Sequence, residues 1–244
     1  MRMKFIHLIC IGFLTTWGNL HAQELKVVDV LKKATEFYHT QKHYHVDMEF
    51  SMYRGFTEKV KTESYTGTIE RNGNFMKNSV LNTQIFQFPE AKVVVDNDAK
   101  TISYVFTDKT DFQDTPIDFK VLFDYFKESK VTDKGDILVC DMIADRNSFN
   151  VMPYGKIILV INKKDYRITK QELFFSNRIP FKSTKGNNTE YDFGKMIIEF
   201  SYDDNKTIEL NQLSDFIMSG GSNTIQLNES FSDYQLINAT EENN

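Results

Sequence analysis

The residues with the widest chemical reach lie in "HYHVDMEFSMY", residues 43 to 53. His43, His45, Asp47 and Glu49 follow one another two apart. On an extended strand this spacing sends all four to one face, and Tyr44, Val46, Met48, Phe50 and Met52 to the other. With His39 just upstream, His43 and His45 offer nitrogen ligands that zinc accepts, and Asp47 an oxygen. The chemistry such a set supports is metal-dependent hydrolysis. A metal centre also wants ligands from elsewhere, and no second cluster appears in the chain. The competing reading is the wet side of a strand. On that reading, Ala at His43 and His45 changes stability by only about 0.5 kcal/mol each, as surface substitutions do.

No other arrangement of nucleophile and base stands out. The chain has no G-x-S-x-G. Cys140, in "DILVCDMIA", alternates with its neighbours like any strand residue and reads as a packed thiol. "SGGSN", 219–223, lacks the lysine and flanking elements of a phosphate loop. Asn187, Asn228 and Asn238 stand in glycosylation sequons, which matter only in a glycosylating secretory pathway. The expectation is a protein that is not an enzyme and carries no metal or cofactor.

The elements that position these residues follow from periodicity. Residues 25–42 read as a helix with Val27, Val30, Leu31, Ala34 and Tyr38 on one face. The period then becomes two. Strands are predicted at 43–54, 58–71, 73–81, 83–88, 91–96 and 100–107, with turns at Asn72-Gly73 and Asp96-Asn97-Asp98. Residues 116–128 break the rhythm. Phe119, Leu122, Phe123 and Phe126 stand at i, i+3, i+4 and i+7 behind Pro116, which predicts a short amphipathic helix. Strands resume at about 130–134, 136–145, 155–162, 166–178 and 190–203. The predicted fold class is mainly β with two helices (α+β): a curved antiparallel half-barrel with the helices across its mouth.

The chain of 244 residues opens with Met1-Arg2-Met3-Lys4, an apolar run from Phe5 to Leu14, and the small-residue exit Leu20-His21-Ala22. This reads as a secretory signal peptide, 1–22, cleaved before Gln23. Cys10 follows Ile9, where a lipoprotein cleavage site wants a small residue, so no lipid anchor is expected. Removal of Arg2 and Lys4 takes 29 basic residues to 27, against 34 acidic ones, a net charge of −7. Such a charge gives no reason to seek nucleic acid or anionic lipid. Cys140 is the one cysteine left, so no intrachain disulfide is expected. Residues 23–240 read as a single domain and 241–244 as a loose tail. A monomer without a transmembrane segment is expected.

The apolar faces carry the stronger signal. Met48, Phe50 and Met52 line one face of a strand, Ile102, Tyr104 and Phe106 another, and Ile198 and Phe200 (with Tyr202) a third. With Phe119, Leu122, Phe123 and Phe126 opposite, they are the candidate lining of an apolar cavity, since flexible and aromatic side chains adapt to acyl chains. The alternative is that they are simply core.

The leading helix 25–42, the strand "YHVDMEFSMY", "YTGTIERNGNFMKN" (65–78), "AKVVVDNDAKTISYVFTDKTDF" (91–112) and "DTPIDFKVLFDYF" (114–126) together resemble periplasmic lipoprotein carriers of the LolA/LolB type. The similarity spans nearly the whole chain after residue 22, and "FSDYQLINAT" (231–240) is similar to a form common in Bacteroidetes relatives. The resemblance implies a periplasmic protein that binds a lipoprotein acyl chain or other apolar cargo and exchanges it between envelope donor and acceptor proteins. Two further readings stand beside it: an envelope interaction protein with a solid core, and a metal-dependent hydrolase built on His39, His43 and His45.

Overall fold

The computed structural model describes residues 25–57, 61–107, 115–117, 119–145, 147, 152–183, 188–220 and 224–239. The proposed signal peptide, Asn187 and the tail 241–244 lie outside them. The first element is α1 (Val27–Thr40), which buries the five apolar residues of its stripe. A meander follows: β1 (His43–Arg54), β2 (Lys61–Asn72), β3 (Phe75–Val80), β4 (Thr83–Gln87), β5 (Ala91–Asp96) and β6 (Thr101–Phe106). Gly73 turns the β2–β3 connection at φ 63°, a conformation glycine adopts without cost.

α2 (Phe119–Tyr125) comes next, then β7 (Phe126–Asp133), β8 (Ile137–Ala144), β9 (Tyr154–Asn162) and β10 (Ile168–Phe175). β11 (Ile179–Lys182) and β12 (Thr189–Asp192) form a hairpin of their own, and β13 (Gly194–Tyr202) returns to the sheet. The last segment carries β14 (Ile217–Ser219), β15 (Ile225–Leu227) and β16 (Gln235–Asn238). The middle helix is thus shorter than the spacing of its phenylalanines predicts. It ends at Tyr125, and Phe126 is already the first strand residue. The alternation of charge in "FKESKVTD" suits an edge strand, which Lys127, Glu128, Lys130 and Asp133 protect from further pairing.

Twelve strands form one open, curved sheet in the order β16-β6-β5-β4-β3-β2-β1-β13-β10-β9-β8-β7. All neighbours are antiparallel except β16, which lies parallel to β6. β1 is near the centre because β13 comes back beside it and joins the two meanders. Among the described residues no helix is long and apolar enough to cross a membrane.

The sheet is covered on both faces, in different places. α1 and α2 cover the inner face over β1, β2 and β7 to β10 with β13, enclosing the larger core. The strap formed by residues 203–220 and 224–239 covers the outer face of β3 to β6. There Ile208, Phe216 and Ile217 pack on Phe75, Phe86, Phe88, Val93, Val95, Ile102 and Tyr104. A sheet whose strands are apolar on opposite faces in its two halves needs two covers.

Candidate functional site

The inner face of β1 is set by alternation: Tyr44, Val46, Met48 and Phe50 are buried while Asp47 and Glu49 stay exposed. Register carries this face into the neighbouring strands, because residues directly opposite one another share a side of the sheet. Phe50 stands opposite Ile198 on β13 and Tyr65 on β2; Met48 stands opposite Phe200 and Gly67. Gly67 makes room for Met48 and its neighbours, since a Cβ there would come within 3.2 Å of the Met48 methyl, 2.9 Å of a Val80 methyl and 2.7 Å of the Ser79 carbonyl oxygen. Beyond β13 the wall continues through Leu173, Ile157, Leu159, Cys140 and Met142.

Seven of the twelve expected cavity residues meet in this one cluster: Met48, Phe50, Phe119, Leu122, Phe126, Ile198 and Phe200. Met52, half-buried, lies on the same face opposite Met196, which packs against the cluster. The side chain of Phe123 lies outside the described residues. Ile102 and Tyr104 are buried in the other core, under the strap, and Phe106 is 52% exposed. The structure therefore does not bring Ile102, Tyr104 and Phe106 to the wall. The meander keeps their side chains on the outer face, in register with Val95 and Val93.

Two features of the wall carried no sequence signal. Arg71 is 2% exposed on the inner face, where its Nη1 donates to the Tyr38 carbonyl oxygen at 2.5 Å and its Nε to that of Gly73 at 3.3 Å. A cation thereby meets the C-terminal end of α1, where the helix dipole favours it. At the same end the Tyr38 hydroxyl accepts the Ile168 N–H at 3.0 Å and bonds the Tyr202 hydroxyl, which donates to the Ile168 carbonyl at 2.9 Å. Burial pushes the Tyr38 phenol up to about 12 and Tyr202 well above its usual range. This neutral knot fastens α1 across β10 and β13.

The histidines are not one wet face. His45 is 1% exposed, held between Asp47, Glu70 and Lys206, which corrects the surface reading of that residue. The strap is the cause, because Lys206 and Asp203 close over the outer side of β1. His43 is half-buried, and its Nε2 reaches the Lys206 carbonyl at 3.3 Å. His39 sits exposed in the last turn of α1. Among the described residues no three His, Cys, Asp or Glu side chains are grouped to hold a metal ion. Cys140 is buried in the wall, and burial pushes its thiol up to about 12, so it is a packing group and no nucleophile. A cleft of about 720 Å³ is lined by Asp47, Glu49, Thr68, Ser79 and Glu199 of the outer face, and Met48, Gly67 and Phe200 of the wall also border it.

No family model matches the chain, and no curated protein matches it in sequence. Among solved structures it is similar to a LolA superfamily protein from Nitrosomonas europaea, at 13% identity over 75% of this chain and 96% of that one, with a TM-score of 0.33. A domain from Vibrio parahaemolyticus named for outer membrane lipoprotein sorting gives 11% identity, 75% and 93% coverage, and a TM-score of 0.33. The lipoprotein LppX of Mycobacterium tuberculosis gives 8% identity, 75% and 97% coverage, and a TM-score of 0.39.

Proposed function

We propose that this protein is a non-catalytic carrier of the cell envelope, exported by residues 1–22 and holding an acyl chain or other apolar cargo on its inner wall. The observation that supports this reading is the continuity of that wall. Met48, Phe50, Met52, Ile198 and Phe200, with Phe126 at the sheet's edge, form an apolar surface facing Phe119 and Leu122, and among the described residues two separate helical pieces close it. The second piece has seven residues, too few for a helix to be stable without tertiary contacts. Its displacement would uncover the wall, and cargo would take its place. Burying eight methylenes contributes roughly 6 kcal/mol, and association costs remove several of these. The remaining affinity is weak enough for release to an acceptor.

A solid-core interaction protein is the second reading. The near-complete burial of the same side chains favours it, since a dense interior leaves no room for cargo. Phe50→Glu separates the two. On the carrier reading the variant stays folded by circular dichroism, and saturable binding of an apolar fluorescent probe, present in the wild type, falls. An unfolded variant together with a wild type that binds no probe overturns the carrier, because an unpaired charge is intolerable only in a core that never opens.

A further inference from the structure

His45 Nε2 has two neighbours with opposite requirements. Lys206 Nζ lies 2.9 Å away, and Asp47 Oδ1 lies 3.1 Å away. An ammonium only donates, so the contact with Lys206 needs a bare lone pair on Nε2. A carboxylate only accepts, so the contact with Asp47 needs a proton there. One nitrogen cannot satisfy both at once. The other ring nitrogen, Nδ1, lies 3.3 Å from Glu70 Oε1 but makes no hydrogen bond to it; the nearby carboxylate still favours a proton on Nδ1 in either case. With Nε2 bare, the neutral ring accepts from Lys206. With Nε2 protonated, the cationic ring donates to Asp47 with Glu70 close by, and Lys206 faces a like charge.

Lys206 is not an incidental partner. It stands four residues beyond β13, where the chain leaves the sheet and becomes the strap. The Asp203 N–H donates to the His45 carbonyl at 3.0 Å, and His43 Nε2 holds the Lys206 carbonyl. Ile208, two residues on, is the strap's first buried side chain. The charged groups facing His45 are Asp47 and His43 on its own strand, Glu70 on β2 with Lys77 of β3 behind it at 3.8 Å, and Lys206 with Asp203 on the strap.

We propose that His45 is an acid-operated latch for the C-terminal strap: a proton on Nε2 transfers the ring from Lys206 to Asp47 and frees the segment that starts at Asp203. Taking up one proton turns Nε2 from an acceptor into a donor. No covalent step is involved; one proton from solvent is taken up and one charge-assisted hydrogen bond is exchanged for another.

The test is amide hydrogen exchange of residues 203–210 in the full chain at pH 8 and pH 5, corrected for intrinsic rates, with the His45 ring followed by NMR. Protection is expected to fall about tenfold or more, the factor one charge-assisted hydrogen bond carries, with the midpoint of the His45 titration. Lys206→Met, at an exposed position, is expected to leave these amides loose at both pH values. His43→Gln is expected to keep the pH response, which assigns it to His45. Equal protection at both pH values in the wild type overturns the latch. So does a full pH response in Lys206→Met, or a His45 ring that does not titrate above pH 4.

Discussion

Phe50 lies almost flat against Tyr65, with ring centroids 4.7 Å apart and planes 14° from parallel. The two are direct cross-strand partners of β1 and β2 on the inner face. Tyr65 is half-buried and its hydroxyl points to Met196 Sδ at 3.5 Å, so this pair ties the buried part of the wall to its exposed rim. Desolvation raises the Tyr65 phenol above its usual value, which keeps it neutral beside the sulfur.

A double-mutant cycle on this pair measures how firmly that part of the wall is built. Phe50→Ala is expected to cost about 3 kcal/mol, the low end for a buried phenylalanine, because Tyr65 can relax into the gap. Stacked pairs couple by about 0.5–1.5 kcal/mol, so Tyr65→Ala should cost less by that amount once Phe50 is gone. Urea unfolding of the two single variants and the double variant gives the number. A coupling of zero means that the rings touch without stabilising each other.

Arg71 provides a second test, at the opposite end of the wall. Arg71→Met preserves much of the side-chain volume and removes the donors to Tyr38 and Gly73. A buried carbonyl left without its partner costs about 1–3 kcal/mol, and the loss should appear as a lower urea midpoint with faster amide exchange in the last turn of α1. Arg71→Lys should recover only part of it, since a single ammonium cannot reproduce the guanidinium fork. Full recovery by Lys would show that charge at the helix end matters and geometry does not.

These residues also show where sequence reading stops. The wall's β1 portion was legible because alternation is a local property, and Met48 and Phe50 needed only their neighbours to be placed. Which side of the sheet Ile102 and Tyr104 face is not local. Their own strand alternates just as cleanly, but they serve a second core whose cover, the strap, lies more than a hundred residues downstream. The strap's strands have three or four residues each, too short for a period to register. The parallel pairing of β16 on β6 joins segments separated by most of the fold, and not by the single crossover helix that would announce it. His45 and Arg71 were unreadable for the same reason, because partners from distant segments bury them. Phe126 failed differently. Its i+7 spacing fits a helix, yet pairing with Ala144 on β8 overrides that weak local preference.

The hairpin β11–β12 is held to β1 by Arg54, whose Nη1 reaches Glu190 at 2.7 Å and whose Nε reaches Asp192 at 3.0 Å. The Arg54 hydrogen bond lowers the Asp192 carboxyl; for Glu190 the Ser183 hydroxyl lowers it first and Arg54 next. A carboxyl that is more acidic in the folded state contributes stability above its unfolded value, near pH 4, and loses it as pH falls through the lower folded value. The contact should therefore persist at pH 5 and release only in stronger acid. Because all three groups are substantially exposed, it should also weaken with added salt. NMR shifts of Phe181 and Tyr191 follow the docking. A hairpin already loose at neutral pH in the wild type, or one unaffected by Arg54→Met, would show that the ion pairs do not hold it.

Cys140 offers the most direct view of whether the wall opens. It is buried against Leu159 in the β8–β9 register, and in a chain starting at Gln23 it is the only thiol. Its raised pKa and burial make the folded protein almost inert to a thiol reagent, so labelling reports opening alone. Two kinds of opening leave different traces. If the wall is reached only by global unfolding, the free energy of opening falls with urea at the full equilibrium slope. If the α2 cover lifts while the sheet stays folded, little surface is exposed, and labelling at low urea becomes nearly independent of denaturant. The carrier reading expects the second trace, together with slower labelling when an apolar probe occupies the wall. Labelling that follows the global slope down to zero urea, and is unchanged by the probe, identifies a core that does not open, and with it the solid-core reading.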